Sequence, residues 1–254
     1  MKIFVLESLR NEDPKTGKYV HEFLDKKGIS NEFHTFHTKQ ELIDLLGAIK
    51  IKSASEDFQP FVHFDCHGNQ NGIAVVKKDS TEELITWKDI RTEFRNIYMA
   101  SKRKAVICMS SCQGFNAIKL VAQCEPCPYE HVCGSFEKIS FSDSYYGYTK
   151  FYELILEGKT IFDAAVEVHN DDKHKDMKFI GVNSQTLFKM AIDGYLEKEC
   201  TEEKLKEKKE LYQRILGQYG TLDDNQKKYL EKAFSLEGQK VIIERCAETF
   251  FLLK

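Results

Sequence analysis

Residues 60–68 read PFVHFDCHG, and residues 105–114 read AVICMSSCQG. Each is a short apolar run that stops at a reactive side chain beside glycine: His67-Gly68 in the first, Cys112-Gln113-Gly114 in the second. Runs of this length, rich in Val, Ile and Phe and bounded by turn residues, predict strands buried on both faces. Working outward, KIFVLES at 2–8 predicts a strand, and TGKYVHEFLDKKG at 16–28 has apolar residues at helical spacing, with Gly28 as a stop. NEFHT predicts another strand and KQELIDLLGAIK an amphipathic helix, so the chain reaches residue 60 in the order βαβα.

The alternation continues. GIAVVKKD predicts a short strand or hairpin arm, a helix begins at Thr86, and FNAIKLVAQC reads as a further helix after Cys112. YEHVCGSF predicts a strand, residues 145–170 predict two helices joined at Gly158, and KFIGVN a last strand. Strands alternating with helices predict an α/β domain whose largely parallel sheet is covered on both faces. Beyond Gln185 the composition shifts to Lys, Glu and Leu in helical patterns. A C-terminal helical extension over 196–254, following a domain over 1–195, is therefore expected.

The 37 basic and 40 acidic residues give a formal charge of −3 and are spread along the chain, so electrostatics point to neither direct nucleic-acid binding nor an anionic membrane. The opening MKIFVLESLRNEDPKTG fits neither a signal peptide nor a membrane span. A cytoplasmic protein is expected, in which the eight cysteines are reduced thiols and mostly small core residues.

In an open parallel sheet the loops at the carboxyl ends of the strands form the functional crevice, and His67 and Cys112 both follow strands. An imidazole that takes a thiol proton and returns it to a leaving group performs acyl transfer. Gly68 and Gly114 allow sharp turns beside the pair, Gly68 offers a backbone N–H to an oxyanion, and a helix starting after Cys112 would favour its thiolate.

These residues resemble the caspase-like cysteine peptidases, whose Q-A-C-x-G signature has its histidine about 50 residues upstream. Cys112 and Gly114 match it, with Ser110 and Ser111 in place of the residues before the nucleophile. The short form MSSCQG is closer to the CHAT branch, as is the run HVCGSFEKISFSDSYYGYTKFYELILEGKTIFDAA. The resemblance spans about residues 1–190. It implies a caspase-like three-layer α/β/α sandwich, with Cys112 as nucleophile, His67 as general acid and base, and the N–H groups of Gly68 and Cys112 as oxyanion hole. It also implies hydrolysis of a protein or peptide substrate without metal or organic cofactor, and a place in bacterial defence or regulated proteolysis. The short stretch between Cys112 and the strand at His131 leaves little room for a processing linker, so an activating protein partner is expected. The serines before Cys112 argue against a strict preference for aspartate at the cleavage position. The rival reading is a catalytically inactive caspase-like interaction or sensor module.

Three further residues are candidates for substrate binding. Asp65 shares a strand face with His63 and His67 and would set the pocket's charge. Asp143, in SFSDSYYGY, either pairs with a basic substrate side chain or caps the helix that follows. Tyr145 either walls the pocket or packs beneath it. Cys124, Cys127, His131 and Cys133 have the ligand types of a structural zinc site, in a spacing that matches no zinc pattern.

Overall fold

The computed structural model describes residues 1–122, 125–173 and 175–252. They divide into two compact units: one comprises residues 1–123 and 127–184, the other residues 124–126 and 185–254.

The first unit is α/β, built on one mixed, mostly parallel sheet. The strands β1 (Lys2–Ser8), β2 (Asn31–Thr35), β3 (Pro60–Asn69), β6 (Val106–Ser110), β7 (His131–Ser135) and β8 (Phe179–Asn183) lie in the order β2-β1-β3-β6-β7-β8. All neighbours in this path are parallel except β7 and β8. The hairpin β4 (Gly72–Val76) and β5 (Glu82–Thr86) extends antiparallel from the end of β3. The sequence gives no separate signal for β5, because EELIT alternates only weakly and leaves just Ile85 fully buried.

Strand alternation assigns the two faces. On one, Ile3, Val5, Phe61 and Cys108 form a core with Val20 and Leu24 of α1 (Thr16–Lys26), Tyr148, Phe151 and Tyr152 of α4 (Phe141–Leu156), and Ala164, Ala165 and Val168 of α5 (Ile161–Asn170). On the other, Phe64 meets Phe36 at 6.4 Å and Phe94 at 5.7 Å. That face is covered by α2 (Lys39–Ser55) and α3 (Trp87–Ala100). Thr86 and Asp89 form a capping box at the start of α3, which satisfies N–H groups that would otherwise lack acceptors. Gly158 joins α4 to α5 at φ 90°, a conformation that favours glycine.

The second unit is helical: α6 (Ser184–Lys198, from its second residue), α7 (Glu202–Gly217), α8 (Asp224–Ala233) and α9 (Leu236–Phe251). Phe188 packs on Phe250 at 5.1 Å, and the Tyr195 hydroxyl donates to Gln239 Oε1 at 2.6 Å. Thr201, Asp223 and Ser235 cap the last three helices. Among the described residues, no helix is long and apolar enough to cross a membrane.

Candidate active site

The strand order reverses at β1, whose neighbours β2 and β3 both follow it in the chain, and a crevice opens beyond the carboxyl ends of the strands at such a point. Three chain segments leave the sheet here. One is the turn after β1, carrying Asp13. The end of β3 carries His67, and the turn after β6 carries Cys112.

His67 Nε2 lies 2.8 Å from Asp13 Oδ2, and its ring stands edge-on to Phe141 at 6.1 Å. Asp13 is held in turn by the Arg10 backbone N–H at 2.9 Å, while the Arg10 side chain pairs with Glu82 of β5 at 2.7 Å. Burial disfavours the Asp13 carboxylate, but the hydrogen bonds from His67 and Arg10, with the charges on both, outweigh it and hold the carboxyl below its ordinary value. In the neutral ring, since an ionised carboxylate only accepts, Nε2 carries the proton and Nδ1 is left as the base. Asp13 is a site residue that the sequence reading does not single out.

Cys112 is half-buried, and its thiol donates to the Ile139 carbonyl at 3.7 Å. Among the described residues no hydrogen bond joins this thiol to His67. Free enzymes commonly leave such a contact long until substrate binds. The sharp turn after Cys112 falls on Gln113, at φ 56° and ψ 22°, and neither Gly68 nor Gly114 has a positive φ. Both glycines serve close approach instead. A Cβ on Gly114 would stand 2.6 Å from Met109 Cβ and Ser111 Oγ, and one on Gly68 would stand 3.1 Å from Ser111 Oγ. Gln113 braces the turn, accepting from the Gln70 N–H at 3.1 Å and donating its own N–H to the Glu137 carbonyl at 2.9 Å.

The element after Cys112 is a 3-10 helix over Gly114–Leu120, where the sequence predicts an α-helix. It is too short to lend the thiolate the support expected of a helix N-terminus.

Asp65, Cys66, His67, Ser110, Ser111, Cys112, Ile139, Phe141 and Ser144 line a single cleft of about 140 Å³. Asp65 is 2% exposed, and Gly17 of α1 covers it so closely that a Cβ there would stand 3.0 Å from both Asp65 Cβ and Glu7 Oε2. Burial above all, with the neighbouring Glu7 charge, pushes the Asp65 carboxyl up to about 7; the Thr16 and Ser110 hydroxyls and Lys15 oppose the shift. Burial likewise raises the Cys66 thiol well above its ordinary value, consistent with a core cysteine at the cleft wall.

Asp143 and Tyr145 are placed otherwise. Ser140 caps α4 by accepting the Asp143 N–H at 3.1 Å and donating to Asp143 Oδ2 at 2.5 Å, so Asp143 serves the helix terminus. Tyr145 packs edge-on to Tyr19 at 6.2 Å. Neither lines the cleft. His63 accepts or donates at Nδ1 to the Tyr152 hydroxyl at 2.9 Å, wholly buried. Of the zinc candidates, Cys124 lies outside the described residues, Cys127 donates to the Tyr129 carbonyl at 3.2 Å, and Cys133 is paired in register with Cys108 inside the core. Among the described residues, no group of three His, Cys, Asp or Glu side chains is arranged to hold a metal.

Neither the protein-family models nor the curated proteins give a match to the chain. Among solved structures, Raptor of Chaetomium thermophilum is similar at a TM-score of 0.34 and 9% identity over 54% of this chain. The chain spans 15% of the length of that protein. A likeness at this level carries no argument about fold family or function. What stands is the class: an α/β protein with a mostly parallel sheet and a Cys- and His-lined cleft at its carboxyl edge.

Proposed function

We propose that the chain is a caspase-like cysteine endopeptidase of the CHAT type, in which Cys112 is the nucleophile and His67 the general acid and base. The observation that carries this reading is the cleft at the ends of β3 and β6. It is lined by both residues, with the imidazole held through Nε2 by Asp13.

The thiol proton passes to Nδ1 of His67, and the thiolate attacks the carbonyl carbon of the scissile bond. The N–H groups of Gly68 and Cys112 receive the oxyanion. The imidazolium, stabilised by the Asp13 carboxylate, then protonates the departing amine and leaves a thioester on Cys112. Water, deprotonated by the same imidazole, hydrolyses the thioester and restores the thiol. This route uses protein groups only. Between Cys112 and β7 the chain forms the 3-10 helix and then the fully buried Cys127 and Tyr129, which favours activation by a docking partner over cutting of a linker.

A peptidyl acyloxymethyl ketone tests the dyad. It should label Cys112 in the intact protein and do so about 10²–10⁴-fold more slowly in His67→Ala. Iodoacetamide, which needs no dyad, should modify Cys112 in both and so show the thiol accessible. Equal ketone labelling in the two proteins would sink the proposal.

A further inference from the structure

Asp65 lines the cleft, and a second carboxylate, that of Glu7, acts on it from outside the lining. Glu7 of β1 and Asp65 of β3 are register partners on neighbouring strands, 4% and 2% exposed. Glu7 Oε2 accepts the Lys18 N–H at 3.1 Å, at the N-terminus of α1, so part of its charge is compensated there. Asp65 has no backbone N–H of this kind: its Oδ2 is buried and without a hydrogen bond among the described residues, and only the Thr16 and Ser110 hydroxyls and Lys15 favour its charge. The basic side chain acting on both, Lys15, donates to the Leu9 and Arg10 carbonyls instead, and among the described residues no ion pair reaches either carboxylate. A buried carboxylate without a cation beside it favours its neutral form, and a cation brought next to it favours the ionised one.

The rest of the cleft shows what would complete it. Cys66, Ile139 and Phe141 give the cleft apolar surface, while Ser140, Ser110 and Ser144, the last two hydrogen-bonded to each other, and Ser111, whose hydroxyl has no partner among the described residues, are polar. Apolar surface beside a buried carboxylate suits a side chain with a long aliphatic stem and a cationic tip. Cys112 stands at the same cleft, so the residue whose carbonyl it attacks is the one whose side chain enters.

We propose that the cleft binds an arginine or lysine side chain of the substrate, at the residue preceding the cleaved bond, with Asp65 as its counter-charge. The proposal rests on the peptidase reading for the position of that residue, but the cation site can be measured without it. The role that the sequence offered to Asp143 passes to Asp65.

Two measurements on the full chain separate the claims. In the first, calorimetry at pH 8 follows binding of agmatine, pentylamine and the neutral butylurea. Binding of one of the cations and not of the urea, weakened at least tenfold in Asp65→Asn, is expected. In the second, tripeptidyl ketones ending in Arg, Lys, Leu or Asp are compared for labelling of Cys112. The Arg or Lys reagent should react at least tenfold faster than the other two classes, and the ratio between Arg and Lys tells which cation fits. Labelling that ignores the residue, with no cation binding, overturns the subsite and leaves the peptidase. Cation binding without any labelling keeps the subsite and overturns the peptidase reading. Absence of both overturns both. The wild-type comparisons alone decide these outcomes, so a folding defect in Asp65→Asn would not blunt them.

Discussion

Asp65 concentrates the residue-scale argument. With its carboxyl pushed up to about 7, it is mostly protonated at pH 6 and mostly ionised at pH 8. The groups that act on it are Glu7 from β1, Thr16 and Lys15 at the start of α1, Ser110 at the end of β6, Cys66 on its own strand and Tyr148 from α4, while His67 and Cys112 line the same cleft. A cation binds the ionised form, so its affinity should rise about tenfold from pH 6 to pH 8. Glu7→Gln removes a like charge and should move the midpoint of that rise to lower pH; an unchanged midpoint by calorimetry would argue that Glu7 does not couple to the site. Asp13 shows the limit of reading single residues. It stands in LRNEDPKTG, 54 residues before His67, and only the strand order brings the two together. The available signal was positional, since the turn after β1 also lies at the carboxyl edge of the sheet. Asp143 was ambiguous for a related reason: a carboxylate three residues after a serine fits both a cap and a binding role.

At the scale of elements, the turns after β3 and β6 are constrained by packing more than by backbone freedom. Gly114→Ala would press a methyl group against Met109 and Ser111 at 2.6 Å, two residues from Cys112. Overpacking of this kind should cost about 1–3 kcal/mol of stability and slow ketone labelling of Cys112. Urea unfolding with an unchanged midpoint would contradict the close packing. The element boundaries legible in the sequence were those with strong local chemistry: the helix start at Thr86 and the breaks at Gly28 and Gly158, both at positive φ; the start of α4 at Phe141, four residues before the Tyr145 that the sequence suggests, was not. The 3-10 helix after Cys112 was not legible, because GFNAIKL has the apolar spacing of an α-helix and the turn at Gln113 cuts it short. Strand β5 was missed because its pairing with β4, not its own pattern, defines it.

For the whole molecule, the pH profile of stability joins the core to the cleft. Burial lowers His63 to about 3 and His131 to about 4, so both are neutral when folded. Their unfolded forms take up protons below about 6.5, and stability should therefore fall as pH drops from 6.5 towards 3. Asp65 acts in the opposite sense. Its folded pKa lies above the unfolded value, so its contribution is present at low pH and is lost as pH rises from 3.8 through 7. Where the windows overlap the two histidines outweigh the one carboxylate, so thermal melts should show a maximum near pH 6.5, and Asp65→Asn should be relatively more stable at pH 8 than at pH 4. A variant that tracks the intact protein at both pH values would show that Asp65 is not buried as described. The alternation of strands and helices in the sequence was enough to predict the α/β class and the parallel sheet. The antiparallel edge at β8 was not, since strand direction there depends on the path of α5 rather than on the residues of FIGVN.

The central claim is that Cys112 cuts peptide bonds after a basic residue. Intact protein and Cys112→Ala, each incubated in whole-cell lysate so that any activating partner is present, can be compared by mass-spectrometric mapping of new peptide termini. Termini confined to the intact protein, and preceded by arginine or lysine, are predicted. The same set of termini from both proteins would contradict the account.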